Sequence, residues 1–218
     1  MLATFLVEII LLILTLAKRR LSNVTILVSI TLFMLAFFQL CEYFVCGGLG
    51  VDGALWSRLG FVAITTLPAL GIHIIHEIAH RKKRWLVAGA YLLMAIWIVL
   101  FGFTDKAFSS QLCVSNYVIF GLQHYVGYFY SAYYYGILLI GIMLAIKFGE
   151  SAKNKKQKEA LYAMIVGYLV FLLPTAAANT ISPATMAGIP SIMCGFAVLF
   201  ALILFAYILP RTTRPKNN

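Results

Sequence analysis

The sequence predicts an all-α, polytopic membrane protein with seven transmembrane helices, N-terminus outside and C-terminus in the cytoplasm. Three observations carry this. The 218-residue chain is 62% hydrophobic and only 11% charged, with mean hydropathy +0.94, far from the balance of a soluble domain. Apolar runs of about 20 residues recur along nearly its whole length, as bilayer-spanning helices require. At those lengths only helices satisfy their own backbone polar groups in lipid. The cations, finally, gather at the ends of the runs on one side, as a positive-inside bias demands.

The first span covers about Leu2 to Ala17 and stops at Lys18, Arg19 and Arg20. Its cations follow the apolar run, and no small-residue cleavage site comes after it, so it reads as a retained helix and not a signal peptide. The second span, about Val24 to Cys46, ends in the turn-rich stretch CGGLGVDG. The third, about Leu55 to His80, ends in Arg81, Lys82, Lys83 and Arg84. The fourth runs from about Trp85 to Phe103. A connection of about 20 residues follows, too long for an ordinary loop, and reads as a short amphipathic or re-entrant piece. The fifth span is about Tyr125 to Phe148, the sixth about Leu161 to Thr180 and the seventh about Ser191 to Leu209. Residues 1–209 thus form one transmembrane domain, and residues 210–218 a short basic cytoplasmic tail.

The loops alternate in charge as this topology requires. The inner ones hold the seven cations already named, then Lys147, Lys153, Lys155, Lys156 and Lys158, and the tail holds Arg211, Arg214 and Lys216. Only Arg58 and Lys106 fall outside. A net charge of +10 placed in this way is a topology signal, and nucleic acid is excluded as a partner. Cys46 and Cys113 both fall at the outer surface. They form either a disulfide in an oxidising exterior or two free thiols.

Three polar constellations stand out. The first is HEIAH in the third span. His76 and His80 at i and i+4, with Glu77 between, match the spacing of zinc proteases, and His73 shares their helix face. Catalysis needs a third protein ligand, and no acidic residue lies inside spans four to seven. The stretch therefore reads as a polar interfacial end, with His73, His76 and His80 as candidates for a proton- or metal-sensitive cluster. The second is aromatic, QHYVGYFYSAYYYG. Its first tyrosines suit an interface belt; Tyr130, Tyr133 and Tyr134 lie deeper. With Phe61, Thr65 and Thr66 on the third span, and Thr175, Asn179 and Ser182 at the sixth, they frame a candidate outward-opening pocket for a small amphipathic or lipid-like ligand. Helix packing uses the same residues. The third is Glu42, with Gln39 on the same face of the second span. Arg58 is a candidate partner, but the sequence favours the alternative of a solvent-reached interface pair.

The chain resembles the seven-helix N-terminal sensor module of certain bacterial histidine kinases. The matching stretches are LFMLAFFQLCEYF, LWSRLGFVAITTLPALGIHIIHE, HRKKRWL, the paired fifth and sixth spans around their basic loop, and IPSIMCGFAVLFALILFAYILPRTTR. Its landmarks are Glu42, Trp56, Arg58 and Pro68. The resemblance implies a sensor in a bacterial or archaeal cytoplasmic membrane. In those kinases the last helix continues into signalling domains; here eight residues follow Pro210, so output would pass to a cytoplasmic or membrane partner. No cofactor is implied. Retinal in particular needs a lysine in the seventh span, and residues 191–209 contain none.

The reading that follows is a non-enzymatic, receptor-like sensor with Glu42, Phe61, Thr65, Tyr130, Tyr133, Tyr134 and Asn179 as ligand-site candidates. Its partners are the lipid bilayer, a signalling protein and, as a homo-oligomer, a second copy of itself. An accessory membrane subunit with no ligand is the alternative. A zinc-dependent intramembrane protease using HEIAH is a lesser one.

Overall fold

A computed structural model describes residues 1–47, 53–81, 84–104, 107–114, 117–181 and 188–216. Seven helices form the bundle among these residues: α1 (Leu2–Lys18), α2 (Asn23–Val45), α3 (Gly53–Ile78), α4 (Trp85–Phe103), α5 (His124–Glu150), α6 (Lys155–Ile181) and α7 (Ile189–Ile203). Six of the spans, α7 being counted with its continuation to Thr212, are long and apolar enough to cross a membrane. The all-α architecture expected from the sequence is therefore present, with one addition. The long connection, expected as a short amphipathic or re-entrant piece, has strand structure. It is an antiparallel hairpin of β1 (Phe108–Val114) and β2 (Tyr117–Leu122).

The helix ends follow local chemistry. Ser22 caps α2, its hydroxyl accepting from Thr25 N–H at 3.2 Å. The first turn of α3 is capped from outside: the Gln111 amide of β1 donates to Gly53 O and Ser57 Oγ and accepts from Ala54 N–H. Arg58 donates to the backbone carbonyls of Phe101 and Gly102 at the end of α4. A cation there answers the helix dipole; Glu42, which the sequence offered as one candidate partner of Arg58, is not among these acceptors. Pro210 has no N–H to offer the preceding turn. A π turn at Leu204–Ile208 precedes it, and the helix then runs on to Thr212, three residues past the expected boundary.

α3 is the hub. It packs against α2, α4, α5 and α6, while α7 packs against α6, α1 and α2. Its most apolar window is 78% buried, against 17% for α4. Lipid supplies no hydrophobic driving force between helices, so close packing and interhelical hydrogen bonds must hold them. Gly71 of α3 and Gly141 of α5 accept the buried ring of Tyr168 from α6, and Gly167 of α6 accepts Phe200 from α7.

The loops divide between two ends. At one end Lys216 N–H bonds Lys18 O, Arg20 N–H bonds Arg214 O, Gln157 bonds Ile78 O, and Arg211 pairs with Glu159. The tail is thus paired to the α1–α2 loop. At the other end lie the hairpin, Cys46, Arg58 and His124. There Cys46 and Cys113 form a disulfide, with Cα atoms 5.3 Å apart, which ties the end of α2 to the hairpin.

Candidate functional site

A cavity of about 450 Å³ opens at the hairpin end, within the size range of small-molecule sites. Phe61 and Ile64 of α3 form its floor, with Phe120 and Leu122 of β2 on one side. His124, Tyr128, Tyr130, Ser131 and Tyr134 of α5 face Pro190 and Met193 of α7 across it. Tyr128, Ser131 and His124 are exposed, whereas Tyr130 and Tyr134 are buried. The walls are therefore apolar and aromatic, with hydroxyls and one imidazole near the mouth.

The aromatic floor is built from five elements. The Phe61 ring centroid lies 5.0 Å from Phe101, 5.2 Å from Phe108, 5.3 Å from Phe120 and 5.6 Å from Tyr130. Several of these are tilted or edge-to-face contacts, which suit the ring quadrupole. Trp97 of α4 adds an edge contact with Tyr130 at 5.2 Å.

Beneath this floor the cavity wall is joined to the proline turn of α3. Pro68 lies inside α3. It removes the hydrogen bond that Ile64 O would accept and loosens the turn around it. Thr65, in that turn, is fully buried and donates to Phe61 O at 2.6 Å. The Tyr130 hydroxyl bonds Thr65 Oγ1 at 3.0 Å, and the Tyr133 hydroxyl donates to Thr65 O at 2.8 Å. Two tyrosines of α5 thus stitch the loosened turn of α3.

Of the expected ligand residues, Phe61, Tyr130 and Tyr134 line the cavity. Thr65 and Tyr133 stand just behind it. Glu42 and Asn179 are not in its lining: Glu42 sits at the α1–α2–α7 contact, and Asn179 is half-buried on α6. Ser182 lies outside the described residues. The wall residues Phe120, Leu122, Pro190 and Met193 are additions. Those from β2 were missed because the connection was read only as a short amphipathic or re-entrant piece. Yet YVIFGL, rich in aromatic and β-branched residues, follows FSSQLCV after only the two residues Ser-Asn, the spacing of a tight hairpin.

The HEIAH stretch has another geometry from the one its spacing suggests. α3 ends at Ile78. Arg81 N–H bonds His76 O at 3.1 Å and His80 N–H bonds Glu77 O at 3.1 Å, the paired bonds of a Schellman turn. His80 takes its left-handed position, with φ 51°. His76 and His80 therefore do not share a helical face, which overturns the expected i, i+4 pair. His76 is buried, its Nδ1 on Ile72 O at 2.9 Å and its ring edge-on to Phe148. His73 Nδ1 meets the Tyr91 hydroxyl at 3.1 Å and its Nε2 lies 3.6 Å from Glu77. Glu77 also pairs with Arg84 and accepts from Asn23 at 3.1 Å. These residues clasp α2, α3 and α4 together. Among the described residues no group of three or more His, Cys, Asp or Glu side chains is placed to hold a metal ion.

No protein-family model matches this chain, and no curated protein matches it significantly.

Proposed function

We propose that this chain is a receptor-like integral membrane sensor. Its outer cavity binds a small amphipathic or lipid-like molecule, and the bound state is passed to a cytoplasmic or membrane signalling partner. The orientation follows from the cations: the end that carries Lys18 to Arg20, Arg84, Lys147 to Lys158 and Arg211 to Lys216 faces the cytoplasm. A bacterial or archaeal cytoplasmic membrane is the location that the resemblance supports.

One observation carries the reading. Tyr130 is at once a wall of the cavity and a hydrogen-bond partner of the loosened turn beside Pro68. A ligand shifts an equilibrium only by binding one arrangement better than another. A molecule that displaces Tyr130 changes what holds the proline turn of α3. The inner end of α3 in turn contacts α2 and α4 through Glu77, and α6 through the Gln157 bond to Ile78 O.

The test is native mass spectrometry of the full chain released from lipid nanodiscs, compared with Ser131→Phe, which fills the mouth of the cavity. The proposal expects a retained amphiphile in the wild type that the variant loses. Equal retention by both, or none by either, would sink it. A second reading, the accessory subunit, draws on α4, whose outward face of Leu92, Ile96, Val99 and Phe103 is 57–83% exposed at each position. That reading expects a stable hetero-complex that Ser131→Phe leaves intact.

A further inference from the structure

Two carboxylates lie in the outer half of the bundle, away from the cavity. Glu8 of α1 is 0% exposed and Glu42 of α2 is 1% exposed, and they stand close enough for their charges to interact. Carboxylates inside a membrane bundle are costly and mark functional sites by default.

The surroundings can be traced side chain by side chain. Thr4 of α1 donates to Gln39 Oε1 at 2.9 Å. Thr4 and Glu8 share a face of α1 at i and i+4, and Gln39 and Glu42 share one of α2 at i and i+3. Gln39, 2% exposed, therefore enters the same seam one turn from Glu8. Ser191 of α7 lies beside Glu42 and accepts from Val118 N–H at 3.1 Å. That contact leaves much of the site unmatched. Both oxygens of Glu8, Oε1 of Glu42 and Nε2 of Gln39 have no hydrogen-bond partner among the described residues.

The other titratable groups facing the pair are the Cys41 thiol of α2, the Cys194 thiol of α7 and the Met1 amino group of α1. The thiols bring no positive charge, and the amino group makes no hydrogen bond to Glu8 or to Oε1 of Glu42. Arg58 is directed to the end of α4. Three buried carboxylate oxygens thus have no hydrogen-bonded cation among the described residues, and the unpartnered Gln39 amide lies in the same seam. Buried charges are normally paired or bound to an ion, and two adjacent carboxylates can instead share a proton.

We propose that Glu8 and Glu42, with Gln39 beside them, bind one monovalent positive charge, an alkali ion or a proton, at the α1–α2–α7 seam. Hard carboxylate oxygens supply the ligands. The Gln39 amide orients a carboxylate oxygen or a water carried by the ion.

The test is infrared difference spectroscopy of the full chain in lipid vesicles. One arm exchanges choline chloride for sodium chloride at fixed pH; the other titrates pH in choline chloride. An alkali-ion site gives a sodium-dependent shift of the carboxylate stretches, lost in both Glu8→Gln and Glu42→Gln. A proton site gives a protonated-carboxyl stretch that titrates, ignores sodium and is lost in the same variants. Spectra that change with neither sodium nor pH, or changes that survive in both variants, would overturn the assignment. Glu42→Asp keeps a carboxyl should the amide variants fail to fold, and it must shift the band. An Asp variant with the wild-type spectrum also counts against the proposal.

Discussion

Gly71→Ala should destabilise the bundle through a single atom, and removing that atom should restore it. A Cβ built on Gly71 would stand 2.1 Å from the Tyr168 hydroxyl, where ordinary contact begins at 3.4 Å. The ring cannot retreat easily. It is buried, packed on Phe171 and Phe200, and its Cε2 would lie only 3.1 Å from a Cβ at Gly141. Overpacking of this kind costs about 1–3 kcal/mol. Alanine returns roughly 0.5–1 kcal/mol through its better helix propensity, so the net loss should be about 1–2 kcal/mol. In a Tyr168→Phe background the nearest atom is Cζ at 3.2 Å, tight by a few tenths of an ångström, and the same substitution should be close to neutral. The assay is a double-mutant cycle of SDS-induced unfolding in mixed micelles. Equal costs in the two backgrounds, or a neutral Gly71→Ala in the wild type, would refute the α3–α6 packing described above.

Four further outcomes follow from the geometry. Tyr133→Phe removes the donor to Thr65 O; interhelical bonds in membranes are worth about 0.6–1.7 kcal/mol, and the unfolding assay should read a loss in that range. Replacing Cys46 and Cys113 by serine opens a bridge with a sequence separation of 67, which loop entropy values at about 4 kcal/mol. Hydrogen exchange should then rise across residues 108–122, and unchanged exchange would argue against the disulfide as the hairpin's anchor. Arg84→Ala should cost under about 1 kcal/mol, because its partner contact with Glu77 is half-exposed. Adding a metal chelator should leave the thermal midpoint unchanged, since His73 and His76 already bond within the protein; a drop would contradict that clasp.

The helical framework was legible because length and hydropathy determine what can cross a bilayer. Trp85 to Phe103 needed no revision, and the other spans moved at their ends. α6 begins at Lys155, six residues before its apolar run, because a helix carrying Lys155, Lys156 and Lys158 can extend into water beyond the membrane. The candidate site was legible in part. Tyr130, Tyr134 and Phe61 could be placed at a similar depth on their spans, and the packing of α3 against α5 brings them together. The hairpin residues could not, because that segment was read only as a short amphipathic or re-entrant piece, and Glu42 could not be assigned its neighbours, since helix order around a bundle is not written in hydropathy. HEIAH misled for a local reason. Its spacing is meaningful only on a continuous helix, and α3 turns at His80, which adopts the left-handed conformation that a glycine or asparagine would have announced.

Photo-crosslinking with a diazirine-bearing fatty acid tests the ligand cavity most directly. The full chain in lipid nanodiscs is irradiated with the probe and the adducts are mapped by peptide mass spectrometry. The account predicts saturable labelling of residues 127–134 and 189–193, suppressed in Ser131→Phe. Labelling confined to the lipid-exposed face of α4, or labelling of the cavity walls unchanged by Ser131→Phe, would contradict it.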